Sequence, residues 1–307
     1  MVDVGDCLLQ HEAALRLKHA LGAWMRRRNV PAYDEQTHTG LVRHLFVRTS
    51  AAGQTLCAVV VNGRSLPRED DLADTLRNAE LSLVGVVLAV NEARSNVILG
   101  ETYRALWGQD YLEDTLCGLS FRLSVPSFFQ VNRAQTEVLY GLAGAYAQLT
   151  GTETLLDLYC GIGTIALSMA GRAGRVIGAE VVPQAVEDAR ANAERNGILN
   201  AEFICADAGE AAQALAARGL RPDVICVDPP RKGLSPGVIA AVAQMAPARL
   251  VYVSCDPATL ARDVKLLGQH GYLPQEAVAV DLFPRTAHVE TCVLLSHKNP
   301  QTSPPSL

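Results

Sequence analysis

Cys255 closes an apolar run, Leu250-Val-Tyr-Val-Ser254, and stands directly before Asp-Pro-Ala-Thr259. A cysteine between a strand end and a helix N-terminus meets free N–H groups and the positive end of the helix dipole, which favour its thiolate. A thiolate is a strong nucleophile for covalent catalysis. The ordinary alternative is a small core residue. Among the other cysteines Cys160 is the nearest rival, because it sits in a glycine-rich turn. Further on, Asp281-Leu-Phe-Pro-Arg-Thr-Ala-His-Val-Glu290 carries two groups, His288 and Glu290, either of which could act as a general base. On spacing alone a solvated charged turn reads equally well.

Two further strings could hold ligands. In Leu155-Leu-Asp-Leu-Tyr-Cys-Gly-Ile-Gly-Thr-Ile-Ala166 an apolar strand runs through a glycine turn into a helix. Gly161 and Gly163 allow the sharp turn and a close approach to a ligand, and the helix N-terminus presents N–H groups to a carboxylate or phosphate. Glu180 ends the next apolar run, where an acid can hold ribose hydroxyls. The spacing Gly-x-Gly-x-x-Ala also fits a dinucleotide turn, so this string leaves NAD and S-adenosylmethionine both open. In Val224-Ile-Cys-Val-Asp-Pro-Pro-Arg-Lys-Gly233, Asp228 ends a strand and two prolines fix an extended turn behind it. Asp-Pro-Pro beside a nucleotide site suits the grip of base-modifying methyltransferases on a planar substrate. Arg231 replaces the aromatic residue that follows in amino-methylating DNA enzymes, which argues against an exocyclic amine as target. Ser127-Phe-Phe-Gln-Val-Asn132 adds a polar pair flanking two aromatics.

The elements that must position these groups follow a regular pattern. Apolar runs at 154–158, 175–179, 202–205, 224–227 and 250–254 alternate with helical stretches at 164–170, 183–195, 208–218, 236–246 and 257–267. Such alternation predicts a parallel sheet with helices on both faces. Strands at 277–283 and 289–296 follow, joined by a short turn, and are expected as an antiparallel pair at the sheet edge. The fold class is therefore α/β, with seven strands in one Rossmann-like sheet. Residues 1–125 read as a separate α+β domain: a helix at 12–28, strands near 42–49, 56–62 and 83–91, and a helix at 70–79. The segment 121–132 and a helix at 133–149 lead into the second domain, 126–297. The tail 298–307, rich in Pro and Ser, is expected to be disordered.

Composition bounds the remaining classes. The chain has 307 residues, 49% of them hydrophobic and 19% charged, enough for two packed cores. The longest apolar stretch, 81–90, is too short to span a bilayer, and no signal peptide opens the chain, so a cytoplasmic protein is expected. The eight cysteines include no CxxC pair and supply neither a disulfide framework nor a complete metal ligand set. Net charge is −5, and neither half is basic, which by itself argues against a nucleic-acid binder.

Taken together, five strings resemble the RNA 5-methyluridine methyltransferases, which methylate uracil carbon 5 in ribosomal or transfer RNA. They are Phe128-Phe-Gln-Val-Asn, Asp157-Leu-Tyr-Cys-Gly-Ile-Gly-Thr, Val227-Asp-Pro-Pro-Arg-Lys-Gly, Ser254-Cys-Asp-Pro-Ala-Thr and His288-Val-Glu, in family order over about 160 residues. A weaker resemblance extends through Asp34-Glu-Gln-Thr-His-Thr-Gly-Leu and Asn96-Val-Ile-Leu-Gly. The branch that modifies 23S ribosomal RNA is the more similar one, with transfer RNA as the alternative substrate.

The resemblance implies that Cys255 adds to uracil carbon 6 and that Glu290 removes the carbon 5 proton. It implies that Gln130, Tyr159, Glu180, Asp207 and Asp228 contact S-adenosylmethionine, with Asp207 on the adenine side and Asp228 also near the uracil edge. Thr164 stands where relatives often have Asn and is left out of the site. Relatives usually carry an N-terminal RNA-binding β-barrel, and many hold a four-cysteine iron–sulfur cluster. Here Cys7 resembles the last cluster cysteine without its three partners, so no cluster is expected in this chain, which reads as a shortened member or a fragment. An NAD-dependent oxidoreductase would leave the Asp228 and Cys255 strings unexplained. A non-catalytic RNA-binding factor would have no need of both nucleophile and base.

Overall fold

The computed structural model describes residues 10–298. It divides into two compact units, residues 1–115 with 121–126, and residues 116–120 with 127–307.

In the first unit, helix α1 (Glu12–Arg28) begins where the His11 ring accepts the Ala13 N–H and ends at Asn29 in the left-handed conformation. Glu12 in its first turn and Arg26, Arg27 and Arg28 in its last turn both match the helix dipole. The spacing of Ala13, Leu17, Leu21 and Trp24 puts them on one buried face. That face packs with Leu72 and Leu76 of α2 (Glu69–Ala79) over a four-stranded sheet. The strands are β1 (Val42–Thr49), β2 (Thr55–Val61), β3 (Leu83–Val90) and β4 (Thr102–Gly108), in that spatial order. β2 and β3 are parallel and joined through α2, so this unit contains a β-α-β crossover inside an otherwise antiparallel sheet. Asp71 receives both Trp24 Nε1 (2.8 Å) and Arg28 Nε (2.9 Å) and ties α1 to α2. Strands β5 (Tyr111–Leu116) and β6 (Leu119–Ser124) form a hairpin.

The second unit opens with α3 (Arg133–Ala147), capped by the Asn132 side chain. β7 (Thr154–Leu158), α4 (Thr164–Ala170), β8 (Arg175–Glu180), α5 (Pro183–Arg195) and β9 (Ala201–Cys205) then wind outward in one direction. The chain returns through α6 (Ala208–Ala217) to the other side of β7, where β10 (Val224–Val227), α7 (Pro236–Met245), β11 (Arg249–Ser254) and α8 (Pro257–Gln269) wind the opposite way. β12 (Tyr272–Val280) and β13 (Glu290–His297) close the sheet, whose order is β12-β13-β11-β10-β7-β8-β9. Six strands run in one direction, and β13, inserted between β11 and β12, runs antiparallel to both neighbours. The central strand β10 is buried at every position, as its unbroken Val-Ile-Cys-Val run requires under helices on both faces. Reversal of winding beside β7 makes a topological switch point, and its crevice opens at the carboxyl ends of β7 and β10.

The seven-stranded Rossmann-like sheet is the one the alternation predicts. Its sixth strand lies earlier than expected, at Tyr272–Val280 rather than 277–283. Pro274, Gln275 and Glu276 disguise it, and all three are exposed on this edge strand, where a proline costs no ladder bond on the open side. In the tail, Lys298 donates its N–H to Gly271 O at 2.9 Å, while residues 299–307, like Cys7, lie outside the described residues. Among the described residues no helix is long and apolar enough to cross a membrane. No group of three or more His, Cys, Asp or Glu among them could hold a metal ion.

Candidate active site

The glycine turn after β7 is held by Glu180. One carboxylate oxygen of Glu180 accepts the Gly161 N–H (3.1 Å) and the other accepts the Val182 N–H (2.9 Å). Tyr159 and Cys160 both donate to Ala179 O, and Tyr159 takes a φ of +70°, in the left-handed region where a non-glycine residue is strained. Gly163 has φ +84°, and a Cβ there would be strained and would press on the side chains of Phe203 and Leu167. Thr164, next in the chain, pairs with the Tyr140 hydroxyl at 3.1 Å.

Beneath the turn lies Asp157, fully buried. Its Oδ2 accepts the Ala166 N–H at 3.0 Å and its Oδ1 has no partner. An orphaned buried carboxylate oxygen costs free energy unless something polar reaches it. Burial, with Asp228 and Glu180 adding negative charge, holds the Asp157 carboxyl well above the usual range.

Asp228 ends β10, where burial and the neighbouring Glu290 push its carboxyl up to about 7. β11 runs past β10 to Ser254, whose partner in β13 is Thr291. Cys255 follows directly after Ser254 and Glu290 directly precedes Thr291, and the Glu290 carboxylate acts on the Cys255 thiol. Glu290 is buried and its carboxyl is raised by that burial, with the Arg231 charge pulling the other way. Arg231 Nη2 lies 3.5 Å from His288 Nδ1.

The Cys255 thiol is raised, not lowered, against the expectation that the helix N-terminus would favour its thiolate. Burial and the carboxylates of Glu290 and Asp228 outweigh Arg231. The expected donors are already used: Asp256 caps α8, and its Oδ1 accepts the N–H groups of Ala258 (3.0 Å) and Thr259 (2.9 Å). Cys160, the rival, is buried and also raised, chiefly by that burial.

Gln130 is buried on a segment pinned at both ends. Ser127 Oγ donates to Asp188 Oδ2 at 2.5 Å, and Asn132 Nδ2 donates to Leu282 O at 3.1 Å. Phe128 between them is 71% exposed, an apolar ring left free to meet a ligand. Asp207 caps α6 through the Gly209 N–H (2.8 Å) and, with Tyr159, lines a cavity of about 610 Å³. Lys232, Leu234, Ile239 and Leu266 line it too, but Gln130, Glu180, Asp228 and Cys255 do not, so this cavity adjoins the reactive groups without containing them.

Asp228, Cys255, Glu290 and Arg231 thus act on one another. Two residues enter that sequence reading did not place. Asp157 was visible as an acid inside an apolar strand, and Arg231 as the residue after the paired prolines, but neither string tells what the charge faces. Asp157, Glu180 and Asp228 act on one another, an accumulation of carboxyls that opposes a pyrophosphate nearby.

The tRNA (uracil-5-)-methyltransferase family model matches residues 72–298, about three quarters of the chain. The chain belongs to this family. An RNA methyltransferase of Halalkalibacterium halodurans, itself uncharacterized, is 40% identical over 300 residues, covering 97% of this chain and 66% of that one. A counterpart from Staphylococcus aureus strain MRSA252 is 41% identical over 299 residues with the same two shares. The chain therefore spans just under two thirds of the length of these curated family relatives. Among solved structures of the family, the Pyrococcus abyssi tRNA (uracil-54, C5)-methyltransferase in complex with S-adenosyl-L-homocysteine superposes with a TM-score of 0.78 at 28% identity, covering 96% of this chain and 70% of that one.

Proposed function

We propose that the protein is an S-adenosylmethionine-dependent RNA methyltransferase that modifies carbon 5 of a uridine, in 23S ribosomal RNA, through a covalent Cys255 adduct with Glu290 as base. The observation that carries this reading is the pairing of Ser254 with Thr291, which brings the neighbouring Cys255 and Glu290 together, with the Glu290 and Asp228 carboxylates acting on the thiol. Family membership supports the reaction class. Transfer RNA is the second reading, favoured by the substrate named for the Pyrococcus protein. Residues 1–125 would form the RNA and substrate side, and 126–297 the methyltransferase domain, in a cytoplasmic protein.

The cofactor fits the residues present. The accumulated carboxyls of Glu180, Asp228 and Asp157 favour a cation over a pyrophosphate, Glu180 ends β8 where an acid can hold ribose hydroxyls, and Gln130, Tyr159, Asp207 and Asp228 would complete the set. S-adenosylmethionine supplies an electrophilic methyl group on a sulfonium.

Uracil carbon 5 is too weak a nucleophile to take that methyl unaided. Cys255 Sγ bonds to carbon 6, and the displaced electron pair moves through carbon 5 towards the carbon 4 carbonyl as an enolate. Carbon 5 would then take the methyl group, the bond from the methyl to the sulfonium sulfur breaking so that its electron pair stays on sulfur as the neutral thioether of S-adenosylhomocysteine. Glu290 removes the carbon 5 proton, and the pair left behind restores the ring double bond and expels Sγ. Burial makes Glu290 a stronger base than a solvated glutamate, while Arg231 keeps its ionised form accessible. The target base must leave its stack to reach this crevice.

RNA containing 5-fluorouridine tests the reading, since fluorine cannot leave as a proton. With S-adenosylmethionine the wild-type protein should be trapped as a covalent RNA adduct, first on ribosomal and then on transfer RNA. Absence of an adduct on both, or an undiminished one with Cys255→Ala, would end the covalent mechanism. Glu290→Gln should form the adduct on ordinary RNA and release it slowly.

A further inference from the structure

The loop that follows the paired prolines is fastened from behind. Asp263, on α8, is fully buried. Its Oδ2 accepts the Leu234 N–H (2.7 Å) and the Tyr252 hydroxyl (2.7 Å). Its Oδ1 receives Arg262 Nε (2.9 Å) and Nη2 (2.8 Å), and the same Arg262 Nη2 donates to Lys232 O at 2.7 Å. The Gly233 N–H closes the turn on Pro230 O (2.8 Å). Gly233 has φ +75°, and a Cβ there would run into the Asp263 carboxylate and the Arg262 guanidinium. One buried carboxylate therefore reaches both sides of Gly233, and the loop can shift only by breaking charge-assisted bonds.

We propose that Asp263 is a positioning residue for the methyl-transfer reaction: by clamping Lys232 through Leu234 it holds Arg231 in place beside Cys255 and Glu290. This rests on the reading of Cys255 as nucleophile. Arg231 is the cation that acts on the Cys255 thiol, opposed there by Glu290 and Asp228, and it also draws on Asp256 and Glu290. Among the described residues its own side chain has one hydrogen-bonding partner, His288 at 3.5 Å, so its place depends on the backbone that carries it.

The test needs neither RNA nor cofactor. Iodoacetamide is added to the full chain between pH 7 and 10, and alkylation of the Cys255 peptide is followed by mass spectrometry. Arg231→Gln should slow alkylation at pH 7.5 by about threefold, because losing the cation raises the thiol further and leaves less thiolate. Asp263→Asn should slow it in the same direction, and the double variant should be no slower than Arg231→Gln alone. A wild-type profile for either single variant, or effects that simply multiply, overturns the proposal. Should Asp263→Asn fail to fold, Tyr252→Phe removes one bond to the clamp and keeps the ring; a smaller slowing is expected, and an unchanged profile overturns the proposal. If the methyltransferase reading were the one at fault, this coupling would persist while wild-type protein transferred no methyl group.

Discussion

Glu290 raises Asp228. Asp228 follows β10 and Glu290 opens β13, with β11 between those strands in the sheet, and burial together with the Glu290 charge holds Asp228 at about 7. A cationic ligand in the crevice favours the ionised form and must drive off that proton. Binding of S-adenosylmethionine should therefore weaken as pH falls below about 7, approaching tenfold per unit for one linked proton. Calorimetry at pH 6 in two buffers of different ionisation enthalpy should show a proton released. A pH-independent affinity between pH 6 and 8 would contradict this, and Asp228→Asn should remove the dependence.

The same shift has the opposite sign for stability. Unfolded, an aspartate ionises near 4; folded, Asp228 resists ionisation until about 7. The native state therefore loses stability as pH rises through that window. Asp228→Asn should make the fold more stable at pH 8, by about 1–3 kcal/mol, while abolishing methylation. Urea denaturation at pH 8 checks it, and at pH 4 the gain should vanish.

The raised Cys255 thiol makes a prediction about ligand charge. Burial, Glu290 and Asp228 hold it protonated in the free protein. A sulfonium nearby should offset the two carboxylates, whereas the neutral thioether of S-adenosylhomocysteine should not. Alkylation of Cys255 at pH 8 should be faster with S-adenosylmethionine than with S-adenosylhomocysteine at equal saturation. Equal rates would show that the positive charge does not reach the thiol.

Gly161 and Gly163 differ in what surrounds them. Both have positive φ, but only Gly163 faces close neighbours, Phe203 and Leu167. Gly161→Ala should cost about 1 kcal/mol through backbone strain, and Gly163→Ala should cost about 2–3 kcal/mol through strain and overlap together. Denaturant midpoints of the two variants give the order directly.

Much of this architecture was legible because the parallel strands announce themselves. Each of β7, β8, β10 and β11 is a mainly apolar run between helical stretches of 3.6 periodicity, and Glu180, Asp228 and Ser254 stand at or just past the ends of the last three. β12 was misplaced because an exposed edge strand has no need of an apolar face. β4 was unread for a related reason, since most of its positions are exposed or half-buried and leave no alternation. At the site, residue types and order pointed to Cys255, Glu290 and Asp228. What the string could not carry was competition for donors: Asp256 is the next letter after Cys255, and only the fold shows that it takes the helix N–H groups. Asp157 and Asp263 belong to the same class, since their meaning lies in partners that are missing or distant in sequence.

The last strand also bears on how the protein is made. β13 enters the sheet between β11 and β12, although both of those precede it in the chain. During synthesis the edge of β11 stays unpaired until β13 emerges. Under the proposed mechanism the group that would bind the RNA, Cys255, is therefore made before the group that would let it go. A polypeptide halted at residue 289 would hold the glycine turn, Asp228 and Cys255 and lack the base that frees the modified RNA.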